Sequence, residues 1–388
     1  MKAKSVPRLQ IAVFNRIFSK QAGGAERYSV ALVEALAAKH EIHVFAQDIS
    51  HSWPGVAYHR VSAPFKRFRW LNQLWYATAT WWATRTGFDI VHSHENTWHG
   101  NVQTVHVLPI KHNLFNGKRG WRKAAALLKV ITSPRLIAYL ALEKGRFSDQ
   151  NSLHPREIIV TSPSLLDIFN NTYPNHKNTI SIVTPGVAKA DLNLDKQAIR
   201  KELNIPQNCF AIAFIGNRYE IKGLPILLLA LKALPKDMHV IVVGNNDEIN
   251  RFQQQASNLN ISDRVHFLGA IDDVSKVYQA ADCLAHPTLE DTFAMVVLEA
   301  MSYGLPVVVS QETYCGVAGL LTDQVNTLIL ENPKDAILLT QLLLSILSDV
   351  ELREKLGTQA LKFADNYTWT RIAQEQEQIY LKIAHLIQ

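Results

Sequence analysis

Phe210-Ala-Ile-Ala-Phe-Ile215-Gly216-Asn-Arg218-Tyr-Glu-Ile-Lys222-Gly223 is where a strand–helix pattern restarts midway along the chain. Six apolar residues close on a glycine, which reads as a short buried strand followed by a loop. A helical stretch, 224–234, comes next, so the run looks like the opening of an α/β unit. Strands are expected downstream at 238–243, 264–268, 283–286 and 306–310, with helices at 274–281 and 293–303. Upstream, a complete unit of the same kind is expected. It has strands at 9–14, 41–46, 89–93, 102–108, 158–161 and 180–183, with a Gly23-Gly24 loop and a helix at 25–39 after the first. Strands alternating with helices imply parallel sheets with crossover connections. Thr184-Pro-Gly-Val187 is the natural link, because proline and glycine both interrupt regular structure. The expected fold class is therefore α/β, with two Rossmann-like domains, 1–187 and 188–369, facing across a cleft. The last helical run, 370–387, is free to pack on either domain, the first being the expected one. In such sheets ligands bind beyond the C-terminal ends of the strands.

The composition limits the alternatives. In 388 residues, 47% are hydrophobic and 19% charged, which supplies sizeable cores and excludes a disordered, coiled-coil or collagen-like chain. No apolar run approaches the ~18–20 residues of a membrane span. The start, MKAKSVPRLQIAVF, has too short an apolar stretch for a secretory signal. Cys209, Cys283 and Cys315 are few and far apart, as in a reducing cytosol, and form neither a disulfide framework nor a zinc motif. Charge is divided unevenly: residues 1–187 hold 23 Lys and Arg against 10 Asp and Glu, a net of +13, and residues 188–388 carry −7. A basic half suggests an anionic partner, whether nucleic acid, phospholipid or a phosphorylated acceptor.

The chemistry concentrates in His286-Pro-Thr-Leu-Glu-Asp291-Thr-Phe-Ala-Met-Val-Val-Leu-Glu299-Ala-Met-Ser-Tyr-Gly304-Leu-Pro-Val-Val-Val-Ser310. An acid ends a loop, a helix starts, and a second acid follows eight positions on, or ~2.2 turns, so both carboxylates can face one side. The helix start between them offers free N–H groups and a positive dipole end, which suits a phosphate. Carboxylates suit sugar hydroxyls because each accepts several hydrogen bonds. Taken alone, acids at this spacing favour the plainer reading of an N-terminal acid paired with the dipole plus one solvated glutamate, since such pairs are common on helices.

This stretch resembles the donor-binding segment of the retaining glycosyltransferases of family 4, which have the GT-B fold. The family pattern is an acid, seven residues, Glu, then Ala-Met and a Gly-x-Pro-Val strand. Asp291 fills the first place, where relatives usually carry Glu, and Glu299 the second. The order and content of the whole chain are similar to those of the lipopolysaccharide core heptose glucosyltransferases. The resemblance implies roles for further residues. Gly24, in Gly23-Gly24-Ala25-Glu26-Arg27, matches the glycine loop near the donor phosphate and acceptor. Lys222 and Arg218 match the basic pair that neutralises the leaving diphosphate, although relatives place the pair side by side and Ile221 precedes Lys222 here. The helix start at Thr292, Phe293, Ala294, Met295 and Val296 adds backbone N–H groups. Gly269 and Ile271 flank the base-holding loop. Asp291 would hold the sugar and Glu299 the ribose. His106 in Val105-His-Val107 matches a histidine near the donor sugar, with Val107 where many relatives have Asp. His92, His94 and His99, in a loop with Glu95, fit no standard zinc motif and are expected to make loop or acceptor contacts. Ala294 stands where relatives usually have Gly. Lys222, Asp291 and His106 are the expected catalytic residues. No metal or other cofactor is expected, the nucleotide sugar being a co-substrate.

Two basic aromatic tracts remain. Lys66-Arg-Phe-Arg-Trp70, with Trp75, Tyr76, Trp81 and Trp82, is compatible with either a core or a membrane interface. Lys118, Arg119, Trp121, Arg122 and Lys123 open a second tract, and the resemblance implies membrane contact there. The expected function is transfer of a hexose from a nucleotide sugar, with UDP-glucose the leading donor, to a lipopolysaccharide core or other cell-surface saccharide. The expected location is the cytoplasmic face of the cell membrane, with an anionic membrane surface as partner and no nucleic acid. A nucleotide-sugar epimerase of the same fold, a decayed sugar-binding homologue and a nucleic-acid binder are the alternatives.

Overall fold

The structure is a computed structural model and describes residues 7–21, 23–148, 156–191, 195–271 and 273–387. The chain forms two compact units: Met1–Pro185 with Trp369–Gln388 (unit 1), and Gly186–Thr368 (unit 2).

Unit 1 contains β1 (Gln10–Phe14), β2 (Ile17–Phe18), α1 (Gly24–Leu36), β3 (Glu41–Ala46), β4 (Asp48–Ile49), β5 (Val56–Arg60), α2 (Arg69–Thr84), β6 (Ile90–Ser93) and β7 (Val102–Val105). It continues with α3 (Ile110–Phe115), α4 (Gly120–Ile131), α5 (Pro134–Phe147), β8 (Glu157–Val160), α6 (Pro163–Thr172) and β9 (Thr179–Ile182). Seven strands form one parallel sheet in the order β5-β3-β1-β6-β7-β8-β9, and β2 and β4 form a small ribbon. α5 and α6 start alike: Ser133 and Ser162 each cap the helix with a hydroxyl that accepts an amide, and proline follows at the first turn.

Unit 2 contains α7 (Lys196–Glu202), β10 (Phe210–Ile215), α8 (Tyr219–Lys222), α9 (Leu224–Ala233), β11 (Met238–Val243), α10 (Ile249–Asn258), β12 (Val265–Gly269), α11 (Ser275–Ala280) and β13 (Cys283–His286). It ends with α12 (Met295–Ser302), β14 (Val307–Ser310), β15 (Leu328–Leu330), α13 (Ala336–Ser348) and α14 (Val350–Ala364). The sheet order is β12-β11-β10-β13-β14-β15, again all parallel. β10 explains its own unbroken apolar run. Ala211, Ala213 and Ile215 enter the core on one face of the sheet, and Phe210, Ile212 and Phe214 that on the other.

α15 (Trp369–Ile387) belongs to unit 1 and packs on α1. Glu377 binds Lys39 at 2.6 Å and His40 at 3.2 Å. The Tyr380 hydroxyl lies 2.6 Å from His92 Nδ1.

Some expected bounds move. The strand expected over 102–108 ends at Val105, because Pro109 begins α3 and Glu143 accepts the amides of Ile110 and Lys111. The helix expected from 293 starts at Met295, because Ala294 is left-handed, with φ 71°. His92 lies in β6, not in a loop.

Candidate functional site

Both sheets reverse strand order beside their first strand, the point where parallel α/β sheets bind ligands. In unit 2 that point lies between β10 and β13. The turn after β10 carries Arg218 and leads into the short α8, which ends on Lys222, and the loop after β13 carries Glu290 and Asp291.

These loops are locked together. Lys222 Nζ donates to Asp291 Oδ2 at 2.6 Å and to the Glu290 carbonyl at 3.1 Å. Leu289 N–H and the Thr288 hydroxyl donate to the Ile221 carbonyl. Gly223 is required here: its φ is 88°, and a Cβ would lie 1.9 Å from the Pro287 carbonyl oxygen.

Asp291 is the hub. Its Oδ1 accepts the amides of Phe293 (3.3 Å) and Ala294 (2.9 Å), while Oδ2 takes Lys222 and lies 3.2 Å from His286 Nε2. Burial works to raise this carboxyl, but the His286 hydrogen bond and the Lys222 charge outweigh it and hold the carboxyl well below its usual range. Burial also lowers His286, against the pull of Asp291. The neutral imidazole thus donates from Nε2, while its Nδ1 is buried without a partner. Four partners fill the roughly four acceptor sites of a carboxylate. The expected grip of Asp291 on sugar hydroxyls is therefore not free in this state, and the residue instead sets the position of Lys222 and the helix start.

The amides expected to meet a phosphate divide accordingly. Those of Phe293 and Ala294 are used by Asp291, while Met295 and Val296 open α12, where N–H groups lack an intrahelical acceptor. Thr292 is half-buried at the same turn. Tyr278 donates to Glu299 Oε2 at 2.7 Å. Arg218 is exposed, 3.8 Å from the Glu290 carboxylate, four positions before Lys222. Gly269 ends β12 with φ 70°, and the next amide, Ala270, donates to Asn246 Oδ1 at 3.0 Å. Ile271 packs partly against the core. Sequence reasoning missed His286, Tyr278 and Asn246, whose partners lie in other loops or strands.

In unit 1 the same reversal lies between β1 and β6. Gly24 is exposed at the start of α1. Arg16 and Glu95, one from each loop, pair at 3.1 Å, a link sequence reasoning also missed. Burial raises the Glu26 carboxyl. His106 follows β7, stacks on His94 with Nε2 2.9 Å from His94 Nδ1, and packs edge-on against Tyr28. Burial first, then the Arg146 charge, push His106 down to about 3, so the ring is neutral at physiological pH. Among the described residues, no group of His, Cys, Asp and Glu is arranged to hold a metal ion.

The second basic aromatic tract leads into the start of α4. Trp121 is 76% exposed, and Leu128 and Ile131 are exposed further along, with only Ala126 buried. Lys118, Arg119, Arg122 and Lys123 flank Trp121, and Arg122 lies over its ring. Among the described residues no single helix is long and apolar enough to cross a membrane.

The Glycosyltransferase Family 4 model matches residues 22–190 and the glycosyl transferases group 1 model residues 195–363, so together they account for most of the chain. The D-inositol 3-phosphate glycosyltransferase of Corynebacterium diphtheriae is 28% identical over 61% of this chain and 59% of its own length. The lipopolysaccharide glucosyltransferase WaaG of Escherichia coli is 25% identical over 58% of this chain and 62% of its own. Each match thus spans under two thirds of the relative. Among solved structures, WaaG superposes with a TM-score of 0.81 at 21% identity, covering 95% of this chain and 99% of that one. Anabaena HepE in complex with UDP and glucose superposes with a TM-score of 0.73 at 18% identity, covering 96% and 99%. These two likenesses show the fold.

Proposed function

Because the chain belongs to glycosyltransferase family 4 and has the GT-B fold, we propose that it is a retaining, metal-independent hexosyltransferase. It moves glucose from UDP-glucose to a lipopolysaccharide core or other cell-surface saccharide. One observation carries the reading: a lysine held by a saturated, half-buried aspartate stands beside the opening of α12, at the strand-order reversal of unit 2. HepE has been solved with UDP-glucose, and WaaG is named a lipopolysaccharide glucosyltransferase, which supports this donor and acceptor class.

Departure of the diphosphate concentrates negative charge, so groups aimed at it lower the barrier most. Lys222 uses two of its three protons within the protein and has a third for a phosphate oxygen. Arg218 and the amides of Met295 and Val296 add to it, in place of the charge a metal would bring. Glu299 receives the ribose, and the backbone around Gly269 and Ile271 holds the base. Asp291 reaches the hexose only by exchanging a present partner. His106 is neutral and brings no charge to the transfer. Unit 1 binds the acceptor, and its α4 docks the protein on the cytoplasmic face of the membrane.

The test is a thermal-shift screen of nucleotide sugars, then transfer assays on core oligosaccharides. UDP-glucose should stabilise the protein and yield a glucosylated product. Conversion of the donor sugar without acceptor would indicate an epimerase, and binding without turnover a decayed homologue; either would refute the proposal.

A further inference from the structure

α2 is built inside out. Its buried face carries Asn72, Gln73, Thr80 and Thr84 beside Tyr76 and Ala77, and its polar groups are satisfied within unit 1. Asn72 and Gln47 exchange two amide hydrogen bonds at 2.8 and 3.1 Å. Gln73 donates to the Asn96 carbonyl, and the Tyr76 hydroxyl to that of Phe45. Thr80 and Thr84 bond carbonyls one turn back along the helix. The opposite face carries the aromatics. Phe68, Trp75 and Trp82 recur every seven positions, which makes a nearly straight stripe on a helix, and they are 58%, 40% and 63% exposed. Trp81 is exposed beside Trp82. A surface helix of a water-soluble protein normally buries its apolar stripe and exposes its polar one. An exposed aromatic patch of this kind marks an interaction surface.

The charge around the stripe selects its occupant. Lys66, Arg67 and Arg69 stand at the N-terminal end, and Arg85 at the other end lies 4.1 Å from the centre of the Trp82 ring. No Asp or Glu occurs between Asp48 and Asp89. Indole rings settle at the boundary between headgroups and acyl chains, and surrounding cations pair with acidic headgroups. We propose that α2 is an interfacial anchor that lays Phe68, Trp75 and Trp82 into a bilayer surface bearing anionic phospholipid. This goes beyond the docking of α4. Both helices pack on α5, so unit 1 would meet the bilayer at two separate places.

The natural cysteines are buried, so one introduced thiol can be labelled selectively in the full chain. A polarity-sensitive dye is placed through Trp82→Cys, and in a second protein through Trp121→Cys. Vesicles are phosphatidylcholine alone, or phosphatidylcholine and phosphatidylglycerol in equal parts. The dye at position 82 should shift to the blue on the anionic vesicles, and less on the neutral ones. Unlabelled Trp75→Ser/Trp82→Ser should bind the anionic vesicles about tenfold more weakly, with an unchanged melting curve. A shift at position 121 with none at 82 would overturn the α2 anchor and leave α4 docking intact. No shift at either position would overturn both. A shift at 82 that needs no vesicles and grows with protein concentration would assign the face to a second copy of the chain, and so refute a lipid occupant.

Discussion

Asp291 and Lys222 illustrate how much depends on one half-buried ion pair. Both side chains are largely shielded from water, so removing one charge leaves the other uncompensated. Asp291→Asn should cost about 3 kcal/mol of unit 2 stability at neutral pH, read from denaturant titration. The sign with pH follows from the lowered carboxyl. Its contribution is complete above the unfolded value of ~3.9 and is lost as pH falls through the lower folded value. Wild type and variant should therefore converge only in strong acid; an equal gap across that range would contradict the pairing. Ala294 offers a second test. It sits at φ 71°, which costs a residue with a Cβ about 1 kcal/mol, partly offset in glycine by chain entropy. Ala294→Gly should leave unit 2 as stable or more so, by up to about 1 kcal/mol, and a loss would mean that the methyl group packs favourably. The residue types of this site are legible in the sequence. The saturation of Asp291 is not, because Lys222 lies 69 positions away and a carboxylate's partners leave no mark on its neighbours.

Among the elements, legibility follows burial. β10, β11 and β13 are buried on both faces or nearly so, and the apolar runs give their bounds directly. β5 was not foreseen, because it is an edge strand whose side chains are half or fully exposed. α2 was visible only as a basic aromatic tract, since its inverted pattern hides the usual helical signal. α4 is the plainer amphipathic case. Trp121→Ser/Leu128→Ser should weaken binding to anionic vesicles about tenfold in co-sedimentation, while exposed positions such as these change stability by under about 0.5 kcal/mol. Undiminished binding would remove α4 from the membrane.

For the whole molecule, the restart of the strand–helix pattern at Phe210 was enough to reveal two α/β units. α15 is held in unit 1 by contacts such as His92 with Tyr380, 288 positions apart, which leave no mark in the local sequence pattern. Unit 1 also stores a pH response. Burial, then nearby charges, bring His92, His99 and His106 down to about 3. Their unfolded values lie near ~6.5, so between ~6.5 and ~3 the folded unit holds fewer protons than the unfolded chain, and stability falls as pH drops. Both nitrogens of His99 are buried without a hydrogen-bond partner. His99→Phe should thus keep neutral-pH melting and flatten its decline in acid; an unchanged slope would exclude His99 as a source.

The most direct measurement is glucose transfer from UDP-glucose to a core oligosaccharide by wild type and Lys222→Ala, below the melting temperature of both. Wild type should transfer, and the variant should be at least ~100-fold slower, about 2.7 kcal/mol of lost stabilisation. A folded Lys222→Ala protein working near the wild-type rate would contradict the role of Lys222 on the departing diphosphate, and with it this account of the site.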